Sequence, residues 1–111
     1  MKRVRLGDVA EEGVSHDPEI KKRVLLRNGA VPHVTTFAQS RFLPGQAATE
    51  HAHADMYEII LVESGTGVVR IDGEEFPLEP GTCVVIEPGE RHSMACTGDE
   101  PLVLTYFGVV E

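Results

Sequence analysis

The apolar residues of this chain come in short runs with a period of two. Each run is cut off by a turn signal, which leaves room for strands and little room for helices of ordinary length. From residue 31 onward the runs cover 33–43, ended by Pro44-Gly45, then 47–54, then 57–62. The clearest pair follows at 68–71 and 74–78, joined by Asp72-Gly73, a dipeptide that accepts the positive φ angles of a tight hairpin turn. Two further strands are expected after Gly81 and after Glu90, and a last one over 102–110. The 11 Gly and 7 Pro are enough to turn so many short segments. Eight to ten short strands must pack as two sheets or close into a barrel, because either arrangement buries one face and manages the edges. The expected fold is therefore all-β, a small sandwich or barrel.

Residues 1–30 carry two competing signals. Ser15-His16-Asp17-Pro18-Glu19 has the form of a helix start, with Asp17 as cap and Pro18 in the first turn. Residues 23–27, followed by Asn28-Gly29, have the form of a strand running into a turn. We read 1–30 as an extended arm that covers an edge of its own sheet or pairs with a second subunit. The 111 residues then form one domain, an arm over 1–30 and a barrel over about 33–110, a size at which a single hydrophobic core suffices.

Charge excludes some partners. Ten Lys and Arg against 18 Asp and Glu leave a net charge of −8, which repels a nucleic-acid backbone or an anionic membrane surface. No apolar stretch has the length of a signal peptide or of the roughly 20 residues that span a bilayer, so a cytoplasmic protein is expected. Cys83 and Cys96 are too few for a disulfide scaffold and read as free thiols.

Five histidines are present, and His51 and His53 alone have ligand-like spacing at first sight. Two residues apart in an extended strand, they project from one face about 6.6 Å apart along the chain, which lets both imidazoles reach one ion. If residues 54–57 turn, Glu58 returns opposite them with its carboxylate, and His92 is the candidate third imidazole. His16 and His33 read as surface residues.

These residues resemble the cupin family. The first motif of that family is matched by Gly45, five residues, His51-Ala52-His53, four residues, Glu58, six residues and Gly65. The second is matched by Gly81, five residues, the run Glu87-Pro88-Gly89-Glu90-Arg91-His92, and Cys96, with 15 positions between the two motifs. Glu87 stands where the family usually has Pro, and Cys96 where it often has Asn. The resemblance covers about residues 33–110 and implies a jelly-roll barrel, a double-stranded β-helix, with a metal ion held inside by His51, His53, Glu58 and His92.

Such a ligand set suits a divalent transition ion rather than Ca or Mg. Mn or Fe is favoured, because an octahedral ion keeps two open positions beside four protein ligands, and Zn, Ni, Co and Cu are the alternatives. By parity with Glu58 and His92, the residues Met56, Ile60, Met94 and Cys96 are expected to line the pocket. Met94 and Cys96 read first as soft core fillers, and the alternative puts the Cys96 thiol near the ion.

The expected function is a metal-dependent enzyme acting on a small molecule, with an Fe- or Mn-type dioxygenase favoured. A non-redox isomerase, epimerase or decarboxylase, or a non-catalytic small-molecule-binding module, are the alternatives. No catalytic acid or base is assigned, since Glu58 is committed as a ligand. The expected partners are a small-molecule substrate and a second copy in a homodimer.

Overall fold

A computed structural model describes all residues 1–111 as nine antiparallel strands and one short 3-10 turn at Leu6–Asp8. The strands are β1 (Glu12–Val14), β2 (Asp17–Leu26), β3 (Val34–Phe42), β4 (Tyr57–Ser64), β5 (Gly67–Ile71), β6 (Glu74–Leu78), β7 (Cys83–Ile86), β8 (His92–Cys96) and β9 (Leu102–Val109). They form a six-stranded sheet, ordered β1-β2-β3-β9-β4-β7, and a three-stranded sheet, ordered β6-β5-β8. The two sheets face each other as a jelly-roll barrel.

Between them lies a core in which alternate residues of each strand point inward. Ile60 and Val62 on β4 and Leu102 and Leu104 on β9 meet Val69 on β5 and Leu78 on β6 from the opposite sheet. Burying each such side chain stabilises the fold by about 1.5–3 kcal/mol. The β5–β6 hairpin turns at Asp72 and Gly73, with φ of 48° and 86°, the positive pair that a two-residue primed turn demands. Gly65 also has a positive φ, and a Cβ there would run into the backbone of Pro101 and Leu102, so the chain passes β9 only because the side chain is absent.

Of the two competing signals at the N-terminus the extended one is realised, and one stretch further on departs from the strand expected of it. Residues 15–27 make no helix. They run as β2, which pairs with β3 and takes β1 on its other edge, so the N-terminal arm extends the six-stranded sheet of its own chain. Asp17 caps no helix, because its carboxylate bonds to Thr49 instead. Residues 47–54, read as a β run, form no strand. They touch β8 only through isolated bridges, Ala47 with Ala95 and His51 with His92, since the segment must bend to return the chain toward β4.

The outward face of the six-stranded sheet carries an apolar patch. Pairing places Phe37, Phe107, Ile59 and Val85 side by side across β3, β9, β4 and β7. The rings of Phe37 and Phe107 meet edge to face at 6.2 Å between centroids.

Candidate metal centre

At one end of the barrel three elements bring the expected ligands near one another: the irregular segment carrying His51 and His53, the second residue of β4, Glu58, and the start of β8 with His92. Antiparallel backbone bonds lock the first to the third, with His51 N–H donating to the His92 carbonyl at 3.0 Å and His92 N–H to the His51 carbonyl at 2.8 Å. The Gly89 N–H donates to the His53 carbonyl at 2.7 Å and ties the loop before β8 to the same segment.

One ring nitrogen each of His51, His53 and His92 lies within 4.8 Å of the others. The ring centroids of His51 and His53 are 4.9 Å apart, those of His51 and His92 4.2 Å, and those of His53 and His92 5.1 Å. An ion about 2.1 Å from each nitrogen bridges about 4.2 Å, so small side-chain adjustments close the set. The Glu58 carboxylate is 3.6 Å from His53 Nε2 and 4.0 Å from His92 Nε2, beyond hydrogen-bond length, and stands beside the three-histidine cluster rather than within it.

The protonation pattern suits a cation. His51 Nδ1 lies 2.9 Å from the Thr49 carbonyl and His92 Nδ1 lies 3.1 Å from the Glu90 carbonyl. A carbonyl only accepts, so in both rings Nδ1 carries the proton and Nε2 offers a lone pair. His92 is 1% exposed, and its Nε2, like that of His53, is buried with no hydrogen-bond partner. Two buried ring nitrogens without a partner, beside a carboxylate, are costly in a merely structural core, and a divalent ion would satisfy both. Burial holds His92 below the ordinary imidazole range, helped by repulsion from His51 and His53, and so keeps it neutral. Glu58 instead raises His53.

A cavity of about 100 Å³ opens beside the cluster, lined by His51, Glu58 and His92 at one end and by apolar Phe42, Ile60 and Met94 along its walls. The polar residues that line it besides the cluster are Ser40, Ser93 and Tyr106. Burial raises the Tyr106 phenol well above its ordinary range, with Glu58 adding to the shift, so it remains a protonated donor. No Lys or Arg lines the cavity.

Ile60 and Met94 thus line the cavity, while Met56 and Cys96 do not. The Met56 sulfur faces the Thr35 hydroxyl at 2.9 Å. The Cys96 thiol donates to the Glu100 carbonyl at 3.2 Å and packs in the core, four residues along β8 from His92, or roughly 13 Å. Glu87 is exposed, and so are His16 and His33. Arg70 and Arg91 pair with Glu75 and Glu50 on the surface. The sequence reading missed Ser40 and Tyr106, although counting by twos along β3 and β9 puts both on the inner face.

The model of the cupin domain matches residues 39–108. An oxalate-binding protein of Thermotoga maritima is 28% identical over 104 residues, an alignment that takes in 89% of this chain and 86% of that one. The polyketide synthase protein CurC of Streptomyces cyaneus is 35% identical over 104 residues, and the chain spans only 64% of its length. Among solved structures, a predicted oxalate decarboxylase from Thermotoga maritima superposes with a TM-score of 0.91 at 25% identity, over 99% of this chain and 100% of that one. With the family's domain matched over well over half its length and the two-sheet barrel built as that family builds it, this chain belongs to the cupin family.

Proposed function

We propose that His51, His53 and His92, through Nε2, and Glu58, through its carboxylate, hold one divalent transition ion, and that the protein is a metal-dependent enzyme acting on a small, oxygen-rich acid. The observation that carries this reading is the pair of buried, unpartnered Nε2 atoms of His53 and His92 next to Glu58. Mn or Fe fits best, since an octahedral ion held by four protein ligands would leave two positions, one for dioxygen and one for a single substrate oxygen. When bound, the ion supplies Lewis acidity and, with Fe or Mn, a route to dioxygen.

The protein's own groups set the rest. A cavity of about 100 Å³ has room for roughly three waters, so the ligand is a molecule of only a few heavy atoms. With no cationic side chain in the lining, a carboxylate is matched only at the ion, and the far end of the ligand meets the hydroxyls of Ser40 and Tyr106. The oxalate-binding relative points to the same chemical class. Within it we favour oxidative, dioxygenase-type chemistry over non-redox decarboxylation, because the ligand set leaves room for both dioxygen and substrate.

A second reading, a binder without turnover, is favoured by one feature. Apart from the ligands themselves, the lining offers no group that titrates near neutral pH to act as acid or base. The test is to load the protein with Mn or Fe and supply oxalate and short 2-oxo acids under oxygen. Oxygen uptake supports the dioxygenase, carbon dioxide release without oxygen uptake supports the decarboxylase, and calorimetric binding without either supports the binder.

The protein works as a homodimer in this reading, joined through the outward face of the six-stranded sheet. There Leu61 is 41% and Val85 54% exposed, beside the Phe37 and Phe107 pair. Cytoplasmic location is consistent with the free thiols of Cys83 and Cys96.

A further inference from the structure

We propose that Asp17 is a positioning residue for this metal centre: from β2 it clamps Thr49, and through Thr49 it sets the ring of His51. The inference rests on the metal-site reading above but concerns a residue outside the matched cupin domain, which begins at residue 39.

The segment between β3 and β4 has no strand of its own, so the histidines on it are held only by individual bonds. On the side of the three-stranded sheet these come from β8, through the Ala48 N–H to the Met94 carbonyl at 2.9 Å and the paired bonds between His51 and His92. On the side of the six-stranded sheet the segment is tied by the Gln46 amide to the Glu19 carbonyl at 3.2 Å and by Asp17. Asp17 is 8% exposed and accepts twice from one residue, from the Thr49 N–H at 2.8 Å and from the Thr49 hydroxyl at 2.8 Å. Hydrogen bonds to a carboxylate are roughly twice as strong as neutral ones.

With its N–H and hydroxyl both held, the N–Cα–Cβ frame of Thr49 is anchored, and from that frame its carbonyl accepts the proton of His51 Nδ1 at 2.9 Å. The bond decides which nitrogen carries the proton and turns Nε2 toward His53 and His92. His92 gets the same service from the Glu90 carbonyl within a tight loop. His51, on the irregular segment, depends on a residue 34 positions earlier in the chain.

The test compares Asp17→Ala, Asp17→Asn and Thr49→Val with the unaltered protein. Asn keeps the shape: its oxygen can accept the Thr49 N–H while its amide donates to the Thr49 hydroxyl. Long-range proton–nitrogen NMR on the metal-free protein reads the His51 tautomer. The unaltered protein and Asp17→Asn should show Nδ1–H, and Asp17→Ala a mixture with Nε2–H. Calorimetric titration with Mn should show Asp17→Ala about 10–100-fold weaker, Asp17→Asn restored to within about threefold, and Thr49→Val between them.

An Asp17→Ala protein with the original tautomer and an affinity within about twofold, even at a lower melting temperature, would overturn the proposal and leave Asp17 a fold residue only. If Asp17→Ala does not fold, Thr49→Val decides by the same two readouts, since Thr49 is a surface residue. Should the unaltered protein take up no ion, the metal reading fails, and the tautomer measurement on metal-free protein still decides the positioning claim.

Discussion

Replacing His92 with Leu should reverse its effect on stability according to whether metal is present. In metal-free protein His92 is 1% exposed, with a buried Nε2 that bonds to nothing, a penalty of about 1–3 kcal/mol. Leu has a similar volume and removes that penalty. It also gives up the bond from Nδ1 to the Glu90 carbonyl, worth about 1 kcal/mol. The balance leaves the variant between equally stable and about 2 kcal/mol more stable than the original, a rise in Tm of up to roughly 10 °C for a domain of this size. With metal at about 100 times its Kd, the original protein gains about 2.7 kcal/mol and the variant gains nothing, so the order inverts. Differential scanning calorimetry with chelator and then with excess Mn measures both. A variant destabilised by more than about 2 kcal/mol under chelator would make His92 an ordinary satisfied core residue with no orphaned nitrogen. Equal metal-induced shifts in both proteins would mean that His92 binds no ion.

Further outcomes follow from the same geometry. Imidazoles bind metal only when neutral, and Glu58 raises His53 above its ordinary value, so protons compete for the site increasingly as the pH falls. Metal content after dialysis should therefore be full at pH 8 and lost below about pH 6, and retention at pH 5 would argue against imidazole ligands. Leu102, fully buried between the sheets, should cost about 2–5 kcal/mol on truncation to Ala, with an unchanged denaturant m-value, and a loss under about 1 kcal/mol would mean the core is not packed as described. Phe107→Glu on the outward face should convert a dimer to a monomer in light scattering while leaving Mn affinity unchanged, and a monomeric unaltered protein would dispose of the dimer.

The parts of the fold that could be read in the sequence are those where one local signal settles the backbone. Asp72-Gly73 allows little but a tight turn, and the alternation in β8 and β9 puts His92, Met94, Leu102 and Leu104 on the inner face. β2 resisted because its inward positions are Ile20, Lys22 and Val24, a Lys breaking the apolar series, and because the pairing with β1 slips near Val14, which buries Asp17 out of phase. Residues 47–54 looked strand-like because short Ala-rich alternation does not distinguish a paired strand from a bent segment that bonds only at intervals. Met56 failed to line the cavity because parity holds only within continuous strand, and β4 begins one residue later. Cys96 failed for another reason: a shared face says nothing of distance along it. The Asp17–Thr49 contact joins residues 32 apart and carries no local signal at all.

Convergence of three imidazoles on one ion is best tested by pulsed electron paramagnetic resonance of the Mn-loaded protein with its histidines labelled with nitrogen-15. Three directly bound imidazole nitrogens are expected, falling to two in His51→Ala. One nitrogen or none, or the signal of fully hydrated Mn, would mean that the three rings do not share an ion.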